Sequence, residues 1–158
     1  MSEKTAADLK HDAVTTNIHE GRFVSGPRVP LPTAFVNEVG EIQNLLLKPI
    51  QSVAVLKSRK GRVRANHYHK TDWHYAYVVS GKVLYFERAV GDTAVEPPIE
   101  ILPGEMFFSP PMREHAMLFA EETTIITLAK NVRSHEEHEA DLVRVAYITP
   151  ELAAWYVK

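Results

Sequence analysis

The chain has 158 residues, enough for one domain with a sizeable buried core. With 18 basic against 20 acidic residues the formal net charge is −2, which indicates neither a nucleic-acid surface nor a charged tail. Cysteine is absent, so disulfides and thiolate metal sites are excluded, and any metal must be held by nitrogen and oxygen.

The start, Met1 to Asp8, lacks a basic segment followed by an apolar core, so no signal peptide is expected. No apolar run approaches the roughly 20 residues of a membrane helix. These features predict a soluble, cytoplasmic, single-domain protein with no membrane or nucleic-acid partner. Residues 1–33 read as an N-terminal arm. Glu3 to Val14 has weak helical composition, and Gly26-Pro-Arg-Val-Pro30-Leu-Pro32 is extended linker chemistry. Such an arm is either loosely docked, or laid on a partner subunit's sheet or over a pocket mouth.

Residues 34–158 read as one β domain. Short runs rich in Val, Ile, Tyr and Phe predict strands over Ile42–Leu47, Gln51–Ser58, His74–Val79, Val83–Ala89, Ile99–Leu102, Met106–Ser109, His115–Phe119, Thr124–Leu128 and Leu142–Ile148. Turn residues separate them, among them Lys60-Gly61, Ser80-Gly81-Lys82, Gly91-Asp92 and Pro103-Gly104. Short strands without intervening long helices predict an all-β sandwich or barrel. Pro150-Glu-Leu-Ala-Ala-Trp-Tyr is compatible with one short C-terminal helix, with Pro150 in its first turn. Barrel edges and outward apolar residues lead us to expect a homodimer.

Four histidines stand out. His67, His69 and His74 are close in sequence, and His115 follows a second Gly/Pro-rich turn. Alternate residues of a strand share a face, so His67 and His69 point the same way if that segment is extended. If His74 faces inward, so do the small apolar residues Ala76 and Val78, while Tyr75, Tyr77 and Val79 face outward. On the strand carrying His115, Met117 and Phe119 share its face. Imidazoles among such neighbours are what a barrel interior with a polar site requires. One histidine on a core face is ordinary packing; four in this arrangement predict a shared site.

The pattern Gly61-x5-His67-x-His69-x4-His74-x6-Gly81 resembles the first motif of the cupin superfamily, with His74 where that family usually has Glu. Gly104-x5-Pro110-x-Met112-x2-His115-x3-Phe119 resembles the second motif, with Met112 in place of the usual Gly and Phe119 in place of Asn. The resemblance implies a single jelly-roll cupin barrel. It also implies that His67, His69, His74 and His115 bind a divalent metal. An all-imidazole site suits Fe, Ni, Cu, Zn or Mn better than Mg or Ca. Within the superfamily, Asn37-Glu-Val-Gly40-Glu-Ile, Arg64-Ala-Asn-His67-Tyr-His69-Lys70 and Pro110-Pro111-Met112-x-x-His115 resemble the sugar 3,4-ketoisomerases of nucleotide-linked 4-keto-6-deoxy sugars, whose fold is shared by 3,5-epimerases. That likeness implies catalytic proton transfer by His67 and His69 on a small-molecule substrate, without an obligatory metal, and no further cofactor-binding residues. Under the metal reading, a metal-dependent dioxygenase is the nearest rival, and a non-catalytic sensing cupin is another. His74 is a ligand in one case and an acid–base or supporting group in the other.

Other residues read more simply. Arg62 and Arg64 are rim charges. Tyr75, Tyr77 and Tyr85 offer phenols to a pocket, but the first two face out if His74 faces in, which makes them packing against a subunit or a helix. Trp73 and Asp72 flank the site in a turn, with orientation of a ligand histidine by Asp72 as the lesser alternative. His135-Glu-Glu-His138-Glu looks like an exposed polar turn, and His11 and His19 lie in the arm. Met106, Phe107, Phe108, Met112, Met117 and Phe119 form core or pocket wall, a lining that fits a small organic molecule.

Overall fold

A computed structural model describes residues 26–158. His11 and His19, and most of the expected arm, lie outside the described residues. The strands are β1 (Arg28–Val29), β2 (Phe35–Asn37), β3 (Gly40–Ile42), β4 (Ser52–Ser58), β5 (Val63–His69), β6 (His74–Ser80), β7 (Val83–Ala89), β8 (Ile99–Ile101), β9 (Met106–Ser109), β10 (Arg113–Phe119), β11 (Thr123–Ala129) and β12 (Leu142–Arg144). Two short helices complete the chain, α1 (His135–Asp141) and α2 (Pro150–Tyr156). One sheet runs β1-β9-β6-β11-β4 and the other β12-β5-β10-β7-β8, with β2-β3 a separate hairpin. All pairings are antiparallel. This is the all-β barrel expected from the strand pattern, in the jelly-roll form that the resemblance implied. No helix of the described residues is long and apolar enough to cross a membrane.

Apolar alternation fills the space between the sheets. Ala76 and Val78 of β6, Tyr85 of β7, Phe107 of β9, Met117 and Phe119 of β10 and Ile125 of β11 form the inner cluster. The chain itself covers both outer faces. Leu31, Leu45, Leu46 and Ile50 pack over Trp73, Tyr75, Met106 and Phe108. On the other side, Tyr147, Ile148 and Ala153 pack over Leu84, Phe86 and Leu118. Tyr75 does face outward as expected, yet it is buried, and the segment that buries it belongs to its own chain.

Several boundaries differ from the expected ones. The strand predicted over Ile42–Leu47 is only the end of a hairpin with Phe35–Asn37, and its apolar residues Leu45 and Leu46 instead cap Tyr75. Leu142–Ile148 is extended only to Arg144, because Ile148 turns back into the outer layer. Arg28–Val29 pairs with Phe107 and Met106 of its own sheet, so the end of the presumed arm is part of the framework. The helix over Pro150–Tyr156 is present, with Pro150 in its first turn and Thr149 Oγ1 accepting from the Leu152 N–H at 3.3 Å.

Strand β5 had no apolar run to announce it, and it contains the feature that aims the site. Val63 pairs with Leu118 on the outer face, whereas His67 pairs with His115 on the inner face, although the two positions are an even number apart. Strict alternation forbids this. The register shifts between His115 and Ala116, and Ala65 (φ +69°) and Asn66 (φ +52°) adopt the left-handed region, making a bulge that reverses the parity of the strand. Asn66 is suited to that conformation, and it is clamped. Its Nδ2 donates to Ile148 O at 3.0 Å and its Oδ1 accepts from Ile148 N–H at 3.0 Å. Replacing Asn66 with Ala removes both bonds and leaves a less tolerant residue at positive φ. Asn66→Ala should therefore lower unfolding free energy by about 2 kcal/mol, at about 1 kcal/mol per hydrogen bond. Denaturant titration reads this, and an unchanged midpoint would show that the clamp does not hold the bulge.

Candidate active site

The four histidines converge at one end of the inner face. His67 and His69 come from β5, His115 from the neighbouring β10, and His74 from β6 in the facing sheet. Ring centroids lie 4.7 Å apart for His67–His69, 4.9 Å for His67–His115, 5.7 Å for His69–His74 and 5.4 Å for His74–His115. His69, His74 and His115 are buried, and His67 is half-buried.

One partner for each of three rings sets its tautomer. Asp141 Oδ2 lies 3.2 Å from His69 Nδ1. That carboxyl is pushed upward by burial, but bonds from Thr71 and Asp72 outweigh the effect and hold it below the usual carboxylate range. It is therefore an acceptor, and His69 carries its proton on Nδ1. The backbone carbonyl of Arg113 lies 3.1 Å from His115 Nδ1 and can only accept, so His115 is also protonated there. Both rings consequently turn a bare Nε2 inward, and each Nε2 is buried without a hydrogen-bond partner. His74 is the opposite case. Arg133 Nη2 lies 3.1 Å from its Nδ1 and can only donate, so the His74 proton sits on Nε2.

The arrangement separates His74 from the other three. Donor atoms of His67, His69 and His115 lie within 4.8 Å of one another and form a possible metal-holding group that does not include His74. Imidazoles whose Nδ1–H is anchored on a carboxylate or carbonyl are typical of metal-bound histidine, so these residues fit a nitrogen-coordinated transition ion. A second group, His69 with Asp72 and Asp141, has the necessary proximity. Its carboxylates are already engaged by Thr71, Asp72 N–H, Asn131 N–H and Arg133.

Two groups that the sequence did not single out, and others that it read differently, complete the site. Asp141 and Arg133 are far from the motifs in sequence and had no local pattern to mark them. Asp72, whose alternative role was to orient a ligand histidine, holds Arg133 Nε at 2.8 Å and reaches His74 through it. The segment read as a polar turn at His135 is helix α1, started by Ser134, whose Oγ accepts from Glu137 N–H at 3.4 Å and donates to Glu137 Oε2 at 2.7 Å. The Ser134-x-x-Glu137 spacing was the available signal. The helix brings His138 to the mouth, its ring 5.5 Å from His69 and 6.1 Å from His67. Tyr85 is inside, its hydroxyl 2.8 Å from Ser109 Oγ and its ring stacked on His115 at 6.2 Å. Burial pushes that phenol well upward, so it stays protonated. Met112, in the position where the cupin motif has Gly, has φ +56° and donates its N–H to His69 O at 2.8 Å, which is why a glycine suits that turn.

No family model and no curated protein sequence matches this chain. Its jelly-roll architecture is shared by solved structures. The QdtA 3,4-ketoisomerase from Thermoanaerobacterium thermosaccharolyticum, in a double-mutant complex with TDP, is similar at 19% identity and a TM-score of 0.57, over 71% of this chain and 82% of that one. The 3′-monoepimerase ChmJ from Streptomyces bikiniensis, with dTDP-quinovose, is similar at 16% identity and a TM-score of 0.62, over 80% and 73%. The dTDP-4-dehydrorhamnose 3,5-epimerase from Sulfolobus tokodaii is similar at 17% identity and a TM-score of 0.58, over 74% and 75%. At these identities what is shared is the fold.

Burial, the largest cause, and neighbouring imidazoles push His67 down to about 2 and His69 to about 3. Burial likewise pushes His115 to about 4 and, with Arg133, holds His74 well below its ordinary value. Unfolded, all four titrate near 6.5. Between those limits the unfolded chain binds more protons than the folded one, so the stability from neutral imidazoles is complete above about pH 6.5 and is withdrawn as pH falls. The melting temperature should therefore drop steadily from pH 7 to pH 4.5, and His69→Gln, which cannot protonate, should show a shallower drop. A flat wild-type profile would mean these rings are not held neutral.

Proposed function

We propose that this protein catalyses proton transfer at a carbon next to a ketone in a nucleotide-linked keto sugar, in the manner of a 3,4-ketoisomerase. The observation that carries the reading is the His69–Asp141 pair, which presents a bare, buried Nε2 beside His67 on the same strand face. A general base needs this combination of an orienting carboxylate and an unoccupied nitrogen. The fold shared with ketoisomerases and epimerases of dTDP sugars supports the substrate class.

The chemistry balances without a redox partner. A base removes the proton on C3, and its electron pair forms the C3=C4 bond as the C4 carbonyl becomes an enediolate oxygen. The O3 proton is then lost as the C3 carbonyl forms, a proton is delivered to C4, and O4 is protonated to the hydroxyl. His67 and His69 leave one strand on one face, so removal and return occur from one side of the sugar. That geometry suits a shift between adjacent carbons better than inversion at one carbon, which needs bases on both faces.

A second reading is supported by the 4.8 Å donor group. His67, His69 and His115 would hold a divalent transition ion, which would supply Lewis-acid polarisation of the ketone. The two readings part on chelation. Given a dTDP-linked 4-keto-6-deoxy sugar in D2O, the proton-transfer enzyme should form the 3-keto isomer with deuterium at C4, and keep turnover after exhaustive chelation. His69→Gln should cut kcat by about 10²- to 10⁴-fold, the usual worth of a general base, and Asp141→Asn by about 10- to 100-fold, as for other groups that orient a histidine. Turnover that vanishes with chelator and returns with Zn²⁺, Ni²⁺ or Fe²⁺ would establish the metal reading. No product in either state would remove the keto-sugar assignment. We also propose a homodimer at the outer strand β4, where Val53 and Val55 are exposed; a monomeric mass by light scattering would contradict it.

A further inference from the structure

Arg133 is fixed at three points. Its Nε donates to Asp72 Oδ2 at 2.8 Å, its Nη2 to His74 Nδ1 at 3.1 Å, and its backbone N–H to Ser52 Oγ at 2.8 Å. Asp72 is itself held, 1% exposed, with Oδ1 accepting from Asn131 N–H at 2.9 Å. Asp72 thus pins the guanidinium from behind and aims it at the imidazole. A guanidinium has no lone pair to offer and does not deprotonate in proteins. The His74 nitrogen that meets it must accept, and the one proton of the neutral ring goes to the other nitrogen.

We propose that Arg133 locks His74 as a neutral Nε2–H imidazole, which makes His74 a hydrogen-bond donor to a substrate oxygen and bars it from acting as a carbon base or a metal ligand. The tautomer lock stands on geometry alone, while the substrate oxygen rests on the keto-sugar reading. His74 lies in the sheet opposite His67 and His69 and is the ring that could otherwise take a proton from the other side of the sugar. Locked, it stabilises the enediolate oxygen, as a neutral imidazole can, and proton traffic stays on the β5 side. Arg133 is in these terms a positioning residue that favours isomerisation over epimerisation.

The test is long-range ¹H–¹⁵N correlation of protein labelled with ¹⁵N-histidine. In wild type, His69 and His115 should be protonated at Nδ1 and His74 at Nε2. Arg133→Met should release His74 to Nδ1–H or a mixture without changing the other two, and Arg133→Lys, which keeps a donor, should restore Nε2–H. Unchanged shifts of His69 and His115 show that the variants are folded. An Nδ1–H tautomer of His74 in wild type, or no change in Arg133→Met, would overturn the lock. Loss of the His74 Nε2 proton on adding Zn²⁺ would place it in the ligand set and overturn it too. The donor role is read from turnover. His74→Leu should lose about 100-fold in kcat, and His74→Asn, whose amide both accepts from Arg133 and donates, should recover most of that loss. Equal loss in both variants would overturn the donor role. If wild type turns over no keto sugar, the functional reading fails and the substrate-oxygen role with it, while the spectra still decide the lock.

Discussion

Four imidazoles gathered inside an apolar barrel face one constraint: each is held neutral, and the proton of each fully buried ring has an assigned place. Desolvation enforces the first condition, since a charged ring beside three others in that interior is strongly disfavoured. Partners outside the ring cluster enforce the second. A carboxylate, a backbone carbonyl and a guanidinium each take one nitrogen, and the nature of the partner dictates what the opposite nitrogen offers. His69 and His115 are given lone pairs to present, and His74 a proton. The site is thus differentiated by groups that lie outside the ring cluster.

The rest of the fold makes that interior affordable. The chain returns to cover much of the outside of each sheet, with Leu45, Leu46 and Ile50 on one side and Tyr147, Ile148 and α2 on the other. Hydrophobic burial is therefore spread over three clusters, and the inner one can end in polar side chains at the mouth without exhausting the core. Asp141 ties this together. Its carboxylate accepts from Thr71 N–H, Thr71 Oγ1 and Asp72 N–H as well as from His69, so the loop between β5 and β6 and the imidazole share an anchor.

Much of this was legible in the sequence, and the limits have physical causes. The inward face of β6, His74-Ala76-Val78, could be read because alternation in a half-buried strand is a direct consequence of the pleat. The neighbouring β5 could not, since Val-Arg-Ala-Asn-His-Tyr-His has no apolar period and contains a break in alternation. Helix α1 was missed because it buries no residue of its own and so lacks an apolar stripe. Its capping residues were the remaining clue. Arg133 and Asp141 are single charged residues whose roles arise only from tertiary contact. The stacking of Tyr85 on His115 follows from the pairing of β7 with β10, which no local pattern specifies.

The reversal at Ala65–Asn66 has a consequence for what identity means in such a barrel. The same histidines, placed after a regular strand, would point toward Tyr147 and Ile148 in the outer layer, away from Asp141 and from the other rings. The chemistry of this chain is thus encoded in spacing as much as in side chains. A relative that kept every histidine and lost one residue of the bulge would conserve the motif and display it on the wrong side of the wall.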